Sequence, residues 1–275
     1  MARVVFVHGI GAQVSGEAPM SGRWLAAMNA GLTRAGTVRL SKEQVAFAFY
    51  GDLFRPSGEW PPVNPSDREH DLLMQWWRSA AQVDLDVVPP TAEMSSCTPM
   101  SARMALHQLA RSRFFAGVGA RTLCEDLRQV GRYFTEPELR QRIRHTLRAR
   151  LAPDTRVVVA HSLGSVVAYE TLCATPEHRV RVLVTLGSPL GVVFDLLDPA
   201  LKEGIGRWPG PPELVWTNIA DRGDVVASAG DLRVRFGPHV RNALVCNGVH
   251  AHSAMPYLAD GLTGQAVAQG LIGHG

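Results

Sequence analysis

Long hydrophobic runs are missing from this 275-residue chain. No segment approaches the roughly 18 consecutive apolar residues needed to cross a bilayer, so a transmembrane segment is not expected. A secretory leader is not apparent either. The apolar part of MARVVFVHGIG is short, runs straight into glycines and lacks a small-residue cleavage site, so a cytoplasmic protein is expected. Cysteine is sparse and scattered. Cys97, Cys124, Cys173 and Cys246 form no C-x-x-C pair, which argues against a disulfide framework or a zinc site and for reduced thiols. No coherent set of metal ligands is visible, and neither metal nor cofactor is expected. The net charge is only +3, with arginine supplying nearly all the basic residues. The nearest thing to a basic patch, RQRIRHTLRAR (Arg140 to Arg150), alternates with Ile143 and Leu147 and reads as an amphipathic helix with a solvated outer face. No nucleic-acid motif accompanies it, so no nucleic-acid partner is expected.

What remains is an apolar fraction of 46%, ordinary for a globular protein, in a chain long enough for one full α/β core. Val4 to His8 reads as a strand covered on both faces and ends in His-Gly-Ile-Gly. A helix follows across about Ser21 to Ala35, and a second strand across Val45 to Tyr50. From Arg55 to about Glu136 the rhythm breaks. Pro/Gly-rich PSGEWPPVNP and VVPPTAEMSSCTP separate helical patterns near Asp67 to Val83, Pro99 to Ala110 and Gly119 to Tyr133. So long a segment between core strands exceeds an ordinary crossover and reads as a helical insertion or lid, residues 55–136, within a single domain. Strand and helix then alternate again. Helix Pro137 to Leu151, strand Val157 to Ala160, helix Ser165 to Cys173 and strand Val180 to Leu186 precede strands Leu214 to Ile219 and Asn242 to Cys246. A final helix covers about Met255 to Gln269. Strands separated by helices predict an α/β fold with a mainly parallel, helix-covered sheet.

The most informative stretch is VVVAHSLGSVVAYETL, Val157 to Leu172. A buried strand runs into A-H-S-L-G and directly into an apolar helix, the arrangement that presents a nucleophilic serine in a sharp turn beside free backbone N–H groups. Ser162 is the expected nucleophile. Gly164 keeps the small residue the crowded turn needs, and Ala160 stands where a first glycine is commoner. Serine needs a base oriented by a third group. WTNIADRGDVVA offers Asp224, the favoured acid because Val225 and Val226 can anchor its loop. Asp221 is the alternative, or holds the turn, and Asp195 and Asp198 are more distant possibilities. CNGVHAHSAMPYL offers His252 as the favoured base and His250 as the alternative. Two residues apart on extended chain, they would point in opposite directions. For the developing oxyanion the N–H of Leu163 and that of Ile10 are the candidate donors, with Gly11 as alternative to Ile10. Gly9 and Gly11 let this loop approach closely, His8 braces it, and His161 is a packing or positioning residue.

Together FVHGIG (Phe6 to Gly11), VVVAHSLGS (Val157 to Ser165), TLGSPL (Thr185 to Leu190), WTNIADRGDVVA (Trp216 to Ala227) and AHS (Ala251 to Ser253) resemble the α/β-hydrolase family. Within it the chain is similar to the lipase/esterase branch that includes inositol deacylases of lipid anchors and lecithin–cholesterol acyltransferase relatives. The resemblance implies an acyl-enzyme mechanism through Ser162, Asp224 and His252 beneath a lid. It covers nearly all the chain except Arg55 to Glu136. Family members usually carry earlier strands before the HG strand, so the sheet reads as trimmed at its leading edge, leaving an edge for the insertion to cover or for self-association; the oligomeric state stays open.

The insertion contributes Trp60, Trp76, Trp77, Met94, Met100, Met104, Phe114 and Phe115, mostly expected as core, with some lining an apolar pocket. The expected activity is hydrolysis of a carboxylic ester with a hydrophobic part, its substrate a small-molecule or lipid-like ester or a carrier-bound acyl chain. A thioesterase, acyltransferase or cyclase would use the same acyl-enzyme, and a non-catalytic binding protein could sit on the same fold.

Overall fold

The computed structural model describes residues 2–12, 15–55, 67–95, 98–112, 120–197, 202–203, 205–228 and 230–272. Cys97, Asp198, Trp60, Phe114 and Phe115 lie outside them. Six strands form one sheet: β1 (Val4–Val7), β2 (Val45–Ala48), β3 (Val157–His161), β4 (Val182–Leu186), β5 (Val215–Asp221) and β6 (Arg241–Val245). Their order is β2-β1-β3-β4-β5-β6, and every pairing is parallel. Val4 stands opposite both Val45 and Val157, Val182 opposite Val215, and Thr217 opposite Arg241. This is the α/β-hydrolase topology.

The central strands are near-continuous runs of Val, Leu and Ala because both faces are covered. Alternate residues serve alternate layers. Val4, Phe6, Val157, Val159, Val182 and Val184 pack with Trp24, Met28 and Leu32 of α1 (Glu17–Arg34) and with Val267 of the C-terminal helix. Val5, Val7, Val158, Ala160 and Leu183 face the other way, against α6 (Leu163–Cys173) and the helices between β2 and β3. Those are α2 (Asp67–Val83), α3 (Pro99–Arg111), α4 (Ala120–Thr135) and α5 (Pro137–Arg148). Trp77, Leu109, Leu123 and Tyr133 are buried in the same apolar cluster as the sheet residues. Met100, by contrast, is 65% exposed and is not core.

Several boundaries differ from expectation. Helix α1 starts at Glu17 rather than Ser21, because Pro19 is compatible with a first helical turn, where its missing N–H costs nothing. The expected final helix is two helices, α8 (Ala254–Ala259) and α9 (Gly261–Leu271), after the one-turn α7 (Arg233–Phe236). Asp260 leaves the helical conformation and its side chain accepts from the Leu262 N–H at 2.7 Å, capping α9. Along α5, Leu139, Ile143 and Leu147 are buried as expected, but Arg140 is not on a solvated face. Its guanidinium bonds the fully buried Glu170 carboxylate of α6, which also accepts from the Tyr133 hydroxyl at 2.6 Å. That pairing ties α4 and α5 to the helix behind the serine. Among the described residues no helix is long and apolar enough to cross a membrane, and Cys124, Cys173 and Cys246 are free thiols.

Candidate active site

The chain order reverses beside β1, so the carboxyl ends of β1 and β3 flank a crevice where ligands gather in open parallel sheets. The β1 end carries His8 to Gly11, and the β3 end carries Ser162. Ser162 has φ +53° and ψ −130°, and among the described residues it is the only non-glycine with positive φ. Such a conformation costs on the order of 1–3 kcal/mol and persists only where the surroundings enforce it. Here Ser162 N–H donates to the Leu186 carbonyl at 3.0 Å, and the Ser162 carbonyl accepts from Ser165 N–H at 2.9 Å and Ser165 Oγ at 2.6 Å. Gly164 lies so close to the β1 end that a Cβ there would stand 2.4 Å from the His8 carbonyl oxygen. That close approach is why the turn needs a glycine at this position.

Ser162 Oγ–H donates to His252 Nε2 at 2.9 Å. On the other side of the ring, Nδ1–H donates to Asp224, 3.0 Å from Oδ1 and 2.9 Å from Oδ2. The carboxylate is fully buried and held from behind. Oδ1 accepts from the N–H groups of Val226 (3.0 Å) and Ala227 (3.2 Å), and Oδ2 from the Tyr257 hydroxyl (2.8 Å). Burial pushes the Tyr257 phenol far above its usual pKa, with the Asp224 charge adding to it, so Tyr257 remains a donor at any working pH.

The alternatives fall elsewhere. Asp221 accepts from the N–H groups of Gly223, at 2.6 Å, and Asn247, which fixes the turns after β5 and β6. Asp195 is exposed. His250 is exposed at the end of a one-turn 3-10 segment, Gly248–His250, so the chain from 250 to 252 turns rather than extends; the reasoning from opposite faces of an extended chain does not apply.

His8 and His161 bond to backbone groups around the triad. His8 Nε2 accepts from the Tyr50 N–H at 3.0 Å, which puts the ring proton on Nδ1, donating to the Gly9 carbonyl at 2.6 Å. Burial lowers its pKa to about 4, and protonating Nε2 would set two N–H groups against each other. His161 Nε2–H donates to the His252 carbonyl at 2.7 Å; burial and then the neighbouring His252 lower its pKa to about 3. In the loop after β1, Gly11 N–H donates to Gln129 Oε1 of α4 at 3.3 Å, whereas the Ile10 N–H meets no acceptor among the described residues. Leu163 N–H, first of α6, is likewise unused within the helix.

These groups open on a cavity of about 280 Å³, walled by Met20, Trp24, Trp76, Leu123, Val226 and Ala254 with the His8–Gly11 loop, Ser162 and His252. Trp76 and Leu123 come from α2 and α4, so part of the expected insertion does line the site. Tyr257, Gln129 and Asp126, another residue of this cavity, were not singled out by sequence. The first was masked by an apolar run, and the other two by the charged pattern of α4.

The fold is that of an α/β-hydrolase, and Ser162, His252 and Asp224 make a connected Ser-His-Asp triad within it. The class so defined is a serine hydrolase. No family profile, curated protein or solved structure matches this chain, so this reading stands on fold and geometry alone.

Proposed function

We propose that the protein is a carboxylesterase acting on small esters, with Ser162 as nucleophile, His252 as base and Asp224 as its orienting acid. Ser162 Oγ attacks the carbonyl carbon while its proton passes to His252 Nε2. The tetrahedral oxyanion is met by the N–H groups of Ile10 and Leu163, a pair of donors typically contributing about 3 kcal/mol each. The carbonyl–alkoxy bond then breaks, and the proton on Nε2 goes to the departing alcohol. Water attacks the acyl-enzyme, gives its proton to Nε2, and the acid leaves as the proton returns to Ser162. Asp224 stabilises the imidazolium that forms in each half-reaction. His8 braces the Ile10 loop and His161 holds the backbone of the base. Within the segment from 55 to 136, α2 and α4 cover the site, a lid in the sense that Trp76 and Leu123 supply its wall.

The observation that carries the reading is the unbroken bond chain from Ser162 through His252 to Asp224, opening on an apolar cavity. At about 280 Å³ that cavity sits near the lower end of ligand pockets. This favours a short ester over the long acyl chains handled by the lipid-anchor deacylases and lecithin–cholesterol acyltransferase relatives its motifs resemble. A series of p-nitrophenyl esters from acetate to palmitate tests it. kcat/KM is expected to be highest among the short chains and to vanish in S162A. Rates that climb toward palmitate would overturn the small-ester reading, and turnover surviving in S162A would overturn the nucleophile.

A further inference from the structure

Asp126 of α4 lines the same cavity as Ser162 and His252, and the triad does not use it. Its Oδ1 is buried with no hydrogen-bond partner among the described residues. It sits over the loop that carries Ile10: a Cβ placed on Gly11 would lie 3.7 Å from that oxygen. Asp126 as a residue is half-buried, but an oxygen shut away without a partner costs stability that folding alone does not recover. Burial accordingly pushes its pKa up to about 7, against the attraction of His252, with neighbouring Glu125 adding slightly to the rise.

The charges around it sharpen the point. The cavity wall holds no lysine or arginine among the described residues, and its other ionisable groups are His8, His161 and His252. Burial favours the neutral forms of His8 and His161. An ionised Asp126 is therefore a second carboxylate charge, besides Asp224, facing the single imidazolium that His252 becomes, and beside the place where the oxyanion develops it opposes the reaction. The conflict is removed when the substrate itself brings a cation to Asp126.

Resting on the ester-hydrolase reading, we infer that Asp126 is a specificity-determining residue and that the site takes esters bearing a protonated amine. The ammonium N–H donates to the Asp126 carboxylate where it borders the cavity, and its charge cancels the field that would otherwise disfavour the oxyanion. The rest of the ester lies against Trp24, Trp76 and Leu123.

The test compares two isosteric acetates at pH 8. Dimethylaminopropyl acetate is protonated there, and isohexyl acetate has a C–H in place of the N–H; ethyl- and butyl-tethered pairs vary the reach. A charge-assisted hydrogen bond in a buried site corresponds to about ten-fold or more in selectivity. The wild-type enzyme is expected to favour the amine ester over its isostere by at least that factor at one tether length, and D126N is expected to bring the ratio of the two kcat/KM values toward unity. General structural damage would slow both esters alike and leave the ratio standing. Equal rates in the wild type, or a ratio that survives in D126N, would overturn the assignment of Asp126; the wild-type ratio alone decides the matter if D126N does not fold. Isohexyl acetate hydrolysis and fluorophosphonate labelling of Ser162 report on the esterase reading separately. If both fail, that reading falls, and the inference with it. If both succeed without charge selectivity, only the inference falls.

Discussion

Replacing Tyr257 by phenylalanine removes one oxygen from behind the triad. That hydroxyl donates to Asp224 Oδ2 at 2.8 Å and accepts from the Asp221 N–H at 2.8 Å, in a side chain with no exposed surface. The Asp221 N–H would be left buried without an acceptor, a loss of about 1–3 kcal/mol. Asp224 would lose one charge-assisted donor, about 1.5–3 kcal/mol by the same measure. The ring stays, so the packing of α8 against the sheet should persist, and relaxation should keep the total near about 3 kcal/mol, read by urea denaturation. Catalysis should suffer far less than stability. Asp224 still accepts from Val226 and Ala227 and still faces His252 Nδ1. We expect kcat to fall about ten-fold in Y257F, whereas D224N, which breaks the orientation of the base, should cost about 10⁴-fold as such replacements do in triads. Y257F as stable as the wild type would refute the account of the hydroxyl; Y257F as inactive as D224N would refute the view that the backbone donors hold the acid.

Other perturbations follow from the same geometry. A Cβ at Gly9 would stand 2.6 Å from Ser162 Cβ, too close for either backbone to keep its place; misplacing a nucleophile on the ångström scale should cost G9A about 10²-fold in kcat, measured with a short p-nitrophenyl ester. E170A would strand Arg140 and the Tyr133 hydroxyl inside the helix layer and is expected to destabilise by about 3–5 kcal/mol in thermal or urea unfolding, while a change under 1 kcal/mol would mean the pairing is not buried in solution. Stability should also rise with pH through the weakly acidic range. His8 and His161 have folded pKa values of about 4 and about 3 against 6.5 unfolded, so between about pH 4.5 and 6 the unfolded chain binds roughly one and a half to two more protons there. Asp126, raised from 3.8 to about 7, works in the opposite sense, because the folded state keeps a proton that the unfolded chain has lost. The net is about one proton, or about 1.4 kcal/mol of stability gained per pH unit on going up from 5 to 6, and D126N should steepen the slope to about two protons. A flat profile in urea midpoints across that range would contradict the buried neutral histidines.

The parts of this molecule that could be read from its sequence are those set by local pattern. VVVAHSLGSVVAYETL announces both the strand and the turn because a fully apolar strand, small elbow residues and an apolar helix leave little else for it to form. Asp224 and His252 are reachable because chain order after the serine narrows the choice and His252 sits next to Ser253, just ahead of the final helical segment; only the expectation that His250 and His252 point oppositely on extended chain fails, at the turn Gly248–His250. What was not legible depends on distant packing. Tyr257 looks like one more apolar residue of MPYL until α8 docks and aims its hydroxyl at Asp224. Gln129 and Asp126 sit in a helix rich in charge, and only the seating of α4 over the Gly9–Gly11 loop gives them partners or denies them one. Arg140 reads as part of a solvated arginine face because nothing local reveals that Glu170 lies beneath it. The break at Asp260 was a capping choice hidden inside a continuous helical pattern.

The central claim is that Ser162 is an activated nucleophile. The most direct measurement is treatment of the intact protein with a fluorophosphonate and location of the adduct by mass spectrometry, in the wild type, S162A and H252A. The account predicts one adduct, on Ser162, formed rapidly in the wild type, lost in S162A and slowed by orders of magnitude in H252A. Labelling spread over surface serines, or a Ser162 adduct that forms equally fast without His252, would contradict it.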